Sequence, residues 1–313
     1  MQISRRDFMI GSTLAGSGVL TAGLLAATAP DFHFPTSPKD RIAVASYSFR
    51  SVIDTPKNRA NSKQSALIPL KDFAERVARK YGVHGVELLG QHFPSRDDAY
   101  LQELREAVKA AGSRIVNLPV SIGASVYDAD ATRRALAVAN ANKWIDTAVA
   151  IGCNSVRVHM QGNAPDADLA AETLRTVAGY GEAHGVVVNL ENDDPKSEDA
   201  FFVARVIDNA NHPWLRALPD FCNSMLPHGG KGSDEKFNYD AVTAMFKRAC
   251  NISHVKDSEI DAGRVFRVDL ARTFAIARQS GYKGWFSIEW EGEGDVWVEN
   301  GRLIDESIRQ LAG

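Results

Sequence analysis

From about residue 40 onward, two patterns of apolar and polar positions alternate along the chain. Short apolar or β-branched runs, typical of buried strands, are followed by longer stretches with helical periodicity. The short runs predict eight strands, over Ile42–Ser48, His84–Leu89, Arg114–Val120, Ser155–His159, Val186–Glu191, Leu215–Asp220, Ile252–Lys256 and Phe286–Glu289. The longer stretches predict helices near residues 69–80, 96–111, 130–150, 166–184, 197–210, 237–249, 267–279 and 301–311. This alternation indicates repeated βα units around a parallel sheet.

The connections between these elements favour one barrel domain. Several predicted helices are followed by a glycine, which accepts the left-handed conformation needed at a helix end: Gly82, Gly112, Gly152, Gly185 and Gly281. Eight strands and eight helices in about 270 residues match the (β/α)8 TIM barrel. An open doubly wound sheet would need a glycine-rich turn after its first strand, where this chain has Tyr47-Ser48-Phe49-Arg50. The sequence therefore predicts an α/β protein with a single (β/α)8 barrel over residues 30–313.

Residues 1–29 have the composition of an export signal. Ser4-Arg5-Arg6-Asp7-Phe8-Met9 resembles a twin-arginine motif, and an apolar run after it ends in Ala27-Thr28-Ala29, the form of a signal-peptidase site. The alternative is an uncleaved anchor, although the run is short and rich in glycine for a membrane span. We therefore expect a periplasmic or other extracytoplasmic protein with no membrane insertion after cleavage. Because phosphorylated metabolites are normally confined to the cytoplasm, this location disfavours a phosphorylated substrate.

Composition and charge exclude several classes of function. The chain has 313 residues, of which 44% are apolar and 24% charged, the balance of a soluble globular protein. Its formal net charge of −3 gives no electrostatic attraction to nucleic acid. The three cysteines, Cys153, Cys222 and Cys250, form no CxxC pair, so a disulfide framework or a structural zinc site is not expected.

Four consecutive predicted strands carry a metal-binding residue type at their carboxyl ends, where barrel active sites are built. These residues are Glu191, Asp220, His254 and Glu289, separated by 29, 34 and 35 positions, each about one βα repeat. Neighbouring strands of one barrel would bring the four side chains around a common point. Three carboxylates and an imidazole suit Mn²⁺, Mg²⁺, Co²⁺ or Zn²⁺, and without a cation the carboxylates would repel one another.

The same residues carry a family resemblance. Glu191, Asp220, His254-x-Lys256-Asp257 and Ser287-Ile288-Glu289 together resemble the xylose-isomerase-like barrel superfamily of sugar-phosphate isomerases and epimerases. The resemblance implies that the four residues chelate one Mn²⁺, Mg²⁺ or Co²⁺, and that Glu191 and Glu289 also form the acid–base pair on opposite faces of a sugar. In many relatives a histidine follows the strand-six aspartate by three residues, whereas this chain has Asn223. No Asp-x-His follows strand seven, so the trinuclear zinc site of the endonuclease IV-like branch is not expected.

Further polar and aromatic residues near the strand ends are predicted to contact the substrate. Each has a structural alternative, as a hydrogen-bonded barrel residue, a surface residue or a core residue. Glu87 and His92 are placed to bind sugar hydroxyls, and Lys256 is placed to stabilise an enediolate oxygen. Trp290 is placed to stack on a sugar ring. The full set is Glu87, His92, His159, Asn223, Lys256, Arg264 and Trp290.

The predicted chemistry is proton transfer beside a carbonyl. A metal that chelates a carbonyl and the neighbouring hydroxyl withdraws electron density from the C–H bond, and a carboxylate can then take the proton. Our leading hypothesis is an isomerase or epimerase acting through an enediolate on an unphosphorylated sugar or ketose. Expulsion of a leaving group would instead make a 3-keto-glycoside lyase, and a third alternative is a non-catalytic sugar-binding barrel. Acidic residues after strands five and eight, such as Asp193 and Glu291, also disfavour phosphates. A homo-oligomer is left open.

Overall fold

The computed structural model of the protein describes residues 28–61, 67–226 and 232–313. Eight parallel strands form a nearly closed barrel, which confirms the predicted fold. They are β1 (Ile42–Ala45), β2 (Gly85–Glu87), β3 (Arg114–Val120), β4 (Ser155–Val158), β5 (Val187–Glu191), β6 (Leu215–Leu218), β7 (Ile252–Val255) and β10 (Trp285–Ile288). The helices are α1 (Pro56–Asn61), α2 (Phe73–Tyr81), α3 (Asp98–Ala110), α4 (Ala131–Ile151), α5 (Ala167–His184), α6 (Ala200–Ala210), α7 (Glu235–Phe246), α8 (Leu270–Gln279) and α9 (Val296–Ala312).

Each predicted barrel strand is present, and most are shorter than predicted at their carboxyl ends. The strand order is β6-β5-β4-β3-β2-β1-β10-β7, and every pairing is parallel. The strands are buried almost throughout because helices cover the outside and side chains fill the inside. Between β6 and β7 the barrel is joined by the isolated bridges Ala217–Ala249 and Asp220–His254. Two predicted metal ligands therefore face each other across this seam.

The sequence did not predict α1 or the antiparallel hairpin of β8 (Ser258–Asp261) and β9 (Arg264–Arg267). The hairpin follows β7, and its turn residues Ala262 and Gly263 have φ values of 48° and 76°. Tight hairpin turns need such positive φ values, and glycine adopts them without strain. The apolar side chains Ile260 and Val265 are exposed on this hairpin, so no buried face marked it as a pair of strands.

The ends of the helices follow simple backbone chemistry. The five predicted helix-terminating glycines have φ values between 61° and 75°, which confirms their left-handed conformation. At the other end, seven helices begin after an aspartate whose carboxylate accepts a backbone N–H of the first turn: Asp97, Asp130, Asp166, Asp199, Asp234, Asp269 and Asp295. These carboxylates satisfy N–H groups that have no partner within the helix.

Asp166→Ala is expected to lower the free energy of unfolding by about 1 kcal/mol. The Asp166 carboxylate accepts hydrogen bonds of 3.0 Å from the backbone N–H groups of Asp168 and Leu169 at the start of α5. Chemical denaturation would measure the loss. Asp166→Asn keeps an acceptor at this position and should lose only a fraction of that value. Equal losses for the two variants would show that the cap hydrogen bond is not the source.

The predicted export signal lies outside the described residues except for Thr28 and Ala29, so it remains a prediction. Thr28 contacts the barrel, since its carbonyl accepts a 2.6 Å bond from the Trp214 indole and its N–H donates to Glu182 at 3.0 Å. In the part of the chain that the structure describes, no helix has the length and apolarity to cross a bilayer. Cys153, Cys222 and Cys250 are free thiols in the structure.

A polar layer fills the barrel interior beneath the carboxyl ends of the strands. Ser155 is its centre: its hydroxyl donates to Asn117 at 2.6 Å and accepts from the amides of Asn189 at 3.0 Å and Asn251 at 2.7 Å. Asn117 in turn donates to Glu87 at 2.9 Å. Because buried polar groups are stable only when paired, this network fixes the orientation of Glu87 below the predicted site.

Candidate metal centre

The structure brings the four predicted metal ligands together. One donor atom from each of Glu191, Asp220, His254 and Glu289 lies within 4.8 Å of the others. The exposed fractions of these residues are 3%, 0%, 1% and 8%, respectively. The seam positions Asp220 and His254, because the His254 backbone N–H donates to Pro219 at 2.9 Å and its carbonyl accepts from Phe221 at 3.3 Å.

Asp220 offers a free oxygen to this centre. Its Oδ1 accepts the backbone N–H groups of Cys222 at 2.8 Å and Asn223 at 2.7 Å, which orients the carboxylate. Its Oδ2 is buried and has no hydrogen-bond partner among residues 28–61, 67–226 and 232–313. Burial, together with the charges of Glu191 and Glu289, raises the pKa of Asp220 well above its usual value. A buried oxygen without a donor is unfavourable, and a cation would satisfy it.

The other ligands also favour a positive charge in this pocket. Burial raises the pKa of Glu289 to about 7, with Glu191 and Glu291 adding to the effect and His254 opposing it. For His254, burial opposes the charged form, but Glu191, Glu289 and Glu87 outweigh burial and raise the pKa of the imidazole well above its usual value. The donor chemistry, the burial and the unpartnered Asp220 oxygen therefore fit a divalent cation.

Glu87 lies behind His254. The His254 Nε2 is 2.9 Å from Glu87 Oε1, while its Nδ1 is 2.8 Å from Glu191 and 3.0 Å from Glu289. Metal-binding histidines usually donate their second ring N–H to such a carboxylate, which selects the tautomer. Glu87 is 1% exposed and lies beside the imidazole, and its predicted contact with sugar hydroxyls stays a prediction. Its Oε1 accepts from Asn117 and faces His254, while its buried Oε2 has no partner among the described residues.

Asn223, which follows β6, contacts Glu191, and Lys256, which follows β7, contacts Asn223. The Asn223 amide donates to Glu191 Oε1 at 3.3 Å, and its oxygen accepts from Lys256 Nζ at 2.8 Å. Lys256 also pairs with Glu259 of the hairpin at 2.7 Å and with Glu291 at 3.3 Å. All three hydrogens of this ammonium group therefore have acceptors, and in this arrangement Lys256 orients Asn223.

Sequence reasoning missed Arg157, a second basic group at the site. Arg157 Nη2 lies 2.8 Å from Glu191 Oε2 and 2.6 Å from Asp193 Oδ2, and the residue is 3% exposed. His159, a predicted substrate contact, is two residues after Arg157 and directly follows β4. It pairs with Glu198 at 2.9 Å. The detectable signal was a charged residue between Val156 and Val158, on the same strand face as His159.

The remaining predicted substrate contacts have other partners. His92 is buried and bonds the Ser46 hydroxyl at 3.0 Å, and burial, aided by Arg50, lowers its pKa to about 4. Arg264 is an exposed hairpin residue that pairs with Asp261 of the same hairpin at 3.2 Å. The structure therefore does not bring Arg264 to the four ligands.

Trp290 packs in the main apolar core and is 6% exposed. Its side chain also borders a groove of about 450 Å³ beside the amino-terminal end of α9, together with Ser48, Arg50, Asp295 and Trp297. The core placement is the structural alternative to the predicted stacking on a sugar ring, which remains a prediction.

The acidic residues at the barrel mouth have local partners. Asp193 pairs with Arg157, and Glu291 pairs with Lys256. Asp194 accepts the backbone N–H groups of Lys196 and Ser197, and Asp295 caps α9. The predicted repulsion of phosphate by these carboxylates is therefore weaker than their number suggests, because two of the charges are balanced.

Comparison with known proteins agrees with the barrel fold of the structure. Residues 76–312 match the family described as xylose isomerase-like TIM barrel. A xylose isomerase-like TIM barrel protein from Mycobacterium smegmatis, solved in complex with magnesium, has a TM-score of 0.64 and 18% identity, covering 86% of this chain and 96% of that one. D-allulose 3-epimerase from Methylomonas sp. has a TM-score of 0.64 and 14% identity, covering 89% and 100%.

A third structure of the same fold is 3-keto-D-glucoside 4-epimerase from E. coli, with a TM-score of 0.61 and 14% identity, covering 85% of this chain and 98% of that one. At such identities the likeness shows the fold and not the reaction. No curated protein sequence matches the chain.

Proposed function

The chain belongs to the xylose isomerase-like TIM barrel family, and we propose that it is a divalent-metal-dependent enzyme that isomerises or epimerises an unphosphorylated sugar or ketose. The observation that carries this proposal is the buried pocket of four donors, in which the Asp220 Oδ2 has no partner within the described part of the chain. Two structures of the same fold are sugar epimerases, and another contains magnesium.

Glu191, Asp220, His254 and Glu289 would hold the ion. When bound, the cation polarises a carbonyl and the neighbouring hydroxyl and so acidifies the C–H bond between them. The oxygen-rich donor set favours Mn²⁺ or Mg²⁺, with Co²⁺ and Zn²⁺ as alternatives. Glu87 keeps His254 in the tautomer that presents Nδ1 to the pocket.

Glu289 and Glu191 form the proposed acid–base pair. They follow β10 and end β5, respectively, and approach the His254 Nδ1 from these separate strands at 3.0 Å and 2.8 Å. Glu289 is the more exposed of the two, and among the residues that the structure describes its one ion-pair partner is His254, so we assign it the removal of the proton. Glu191 is oriented by Arg157 and Asn223, and it would return a proton to the opposite face in an epimerisation.

An unphosphorylated substrate is supported by the state of the basic side chains. Arg157 and Lys256 are each engaged by at least two carboxylates, and Arg50 lies 3.9 Å from Glu291. A phosphate would have to displace these pairs, whereas sugar hydroxyls can bond to them without displacement. The twin-arginine-like motif in residues 1–29 supports an extracytoplasmic location, where unphosphorylated sugars are available.

A lyase acting on a 3-keto-glycoside is the second candidate. The 3-keto-D-glucoside epimerase of the same fold supports this substrate class, and the reaction would begin with the same proton removal. The two reactions part after that step, because the lyase expels the aglycone while the epimerase returns the proton. Product analysis therefore distinguishes them.

We expect the Mg²⁺-loaded protein to catalyse deuterium exchange from D₂O into at least one ketose or 3-keto-glucoside. The deuterium should enter at the carbon beside the carbonyl group of that substrate. The physical reason is that the carboxyl group that delivers the proton, Glu191 in an epimerisation or Glu289 when the removal is reversed, would exchange with solvent before delivering it. Proton NMR would follow the exchange with D-allulose, D-fructose, L-ribulose and a methyl 3-keto-glucoside, and EDTA should abolish it. An epimer or aldose among the products indicates an isomerase or epimerase, and released methanol indicates a lyase.

The proposal fails if no substrate exchanges after loading with Mg²⁺, Mn²⁺, Co²⁺ or Zn²⁺ in turn. Exchange that persists in EDTA would show that the protein is an enzyme but would contradict the proposed role of the metal.

A further inference from the structure

A second group of ligand-type side chains lies beside the metal centre. His159, Asp193 and Glu198 each place a donor atom within 4.8 Å of the others. Glu198 is 2% exposed, whereas the side chains of His159 and Asp193 are 27% and 38% exposed, so solvent reaches the group from one side. We call these three residues the second cluster.

Arg157 supplies the positive charge of the second cluster. Its Nη2 lies 2.6 Å from Asp193 Oδ2, 2.8 Å from Glu191 Oε2 and 3.8 Å from Glu198 Oε2. Its Nη1 contacts His159. The guanidinium therefore lies among three carboxylates and one imidazole, the same donor types that form the metal centre itself.

The side chain of Arg157 is inserted into this cluster from the barrel interior. It belongs to β4 and is 3% exposed, and its buried Nε has no hydrogen-bond partner in the described ranges of the chain. Burial of a guanidinium is unfavourable, but the charges of Glu191, Asp193 and Glu198 outweigh it and raise the pKa of Arg157. Among the described residues, removing this one charge would leave the three carboxylates with histidines alone as ion-pair partners, His254 for Glu191 and His159 for Asp193 and Glu198.

Glu191 connects the second cluster to the metal centre. Its Oε2 is held by Arg157, while its Oε1 faces the Nδ1 of His254 at 2.8 Å and the Asn223 amide at 3.3 Å. The two oxygens are thus divided between the two groups. Arg157 determines which oxygen Glu191 presents to the metal centre.

We propose that Arg157 is a positioning residue that acts as the built-in cation of the second cluster, so that the chain takes up one divalent ion rather than two. The inference rests on the metal centre of the proposed function. The Arg157 guanidinium occupies Glu191 Oε2, Asp193 and Glu198. Without it, these three carboxylates and the imidazole of His159 would be available as ligands for a second ion.

The test counts bound Mn²⁺ per chain after gel filtration, in the full protein without substrate. We expect a ratio of one for the wild type and two for Arg157→Ala, because the variant removes the charge and opens space for an ion. Electron paramagnetic resonance should show a coupled Mn²⁺ pair in the variant, since Glu191 would supply one oxygen to each ion. If Arg157→Ala does not fold, Arg157→Gln removes the same charge with less loss of volume.

Three controls locate the effect. Arg157→Lys keeps a cation in the cluster and should bind one ion. Arg248→Ala removes an arginine that pairs with Asp208 at the protein surface and should also bind one ion. The double variant Arg157→Ala/Glu198→Gln weakens the new site and should return the ratio to one.

Two ions in the wild type, or one ion in a folded variant that lacks the Arg157 charge, would overturn the proposal. No ion in the wild type would overturn the metal centre and this inference with it. Because ion counting needs no sugar, a failure to find sugar turnover leaves the result intact. Conversely, a ratio of one in Arg157→Ala leaves the proposed reaction standing.

Discussion

Glu289→Gln is expected to lower the rate of metal-dependent deuterium exchange by about 10²- to 10⁴-fold, the usual contribution of a general base. Glutamine has nearly the same shape and keeps one oxygen that can face the ion, but it cannot accept a proton from carbon. Glu289 is the most exposed of the four predicted ligands, at 8%, and burial raises its pKa to about 7. Glu289 is therefore the ligand with the best access to the substrate, and a bound cation would favour its ionised form, which is the form that accepts a proton.

The exchange rate of Glu289→Gln must be compared at equal occupancy of the metal centre. Bound Mg²⁺ would be measured first, and the ion concentration raised until the variant and the wild type are both saturated. Glu172→Gln, on the exposed face of α5, provides a matched control and should exchange at the wild-type rate. If saturated Glu289→Gln exchanges within about tenfold of the wild type, Glu289 is not the general base.

The barrel and the relative positions of the four ligands could be predicted because both follow from chain periodicity. In a parallel barrel each repeat returns the chain to the same end of the sheet, so polar residues that end successive strands are brought together. The separations between Glu191, Asp220, His254 and Glu289 contain this information directly. Their grouping within 4.8 Å follows from barrel closure, whereas the orientation of the Asp220 carboxylate also depends on the loop N–H groups of Cys222 and Asn223.

Contacts between side chains could not be predicted in the same way. Arg157 and Glu191 are 34 positions apart on β4 and β5, and their ion pair depends on side-chain conformation. The sequence identified Asp193 only as one of several acids at the barrel mouth. The distance of 2.6 Å between Asp193 and Arg157 shows that the two residues form an ion pair. The charge of Asp193 is therefore balanced, whereas the sequence indicated that it would repel phosphate.

The hairpin after β7 shows another limit of pattern analysis. Its residues alternate too little in burial to be recognised as strands. It contacts the site through the ion pair of Glu259 with Lys256, and Arg267 of the hairpin also pairs with the neighbouring Asp257. Lys256 was predicted to stabilise an enediolate oxygen, and the structure instead shows its hydrogens engaged by Asn223, Glu259 and Glu291. A role on the substrate would therefore require one of these three contacts to open.

Glu87→Leu is expected to weaken binding of Mn²⁺ by about 10- to 100-fold, the typical effect of losing the carboxylate behind a ligand histidine. Glu87 Oε1 lies 2.9 Å from His254 Nε2 and is itself oriented by the Asn117 amide at 2.9 Å. Leucine fills a similar volume but offers no acceptor, so the Nε2–H would lose its partner and the imidazole could adopt the tautomer that blocks Nδ1. Isothermal titration calorimetry on the metal-free protein would measure the dissociation constant.

Glu87→Gln separates the tautomer effect from the effect of charge. The glutamine oxygen can still accept the Nε2–H of His254, although it contributes no negative charge, so its loss of affinity should be smaller than that of Glu87→Leu. Glu106→Gln, on the exposed side of α3, controls for the removal of a distant carboxylate and should bind Mn²⁺ as the wild type does. Wild-type affinity in Glu87→Leu would mean that His254 does not depend on Glu87 for its orientation. The proposal that a residue of β2 orients the metal ligand of β7 would then be wrong.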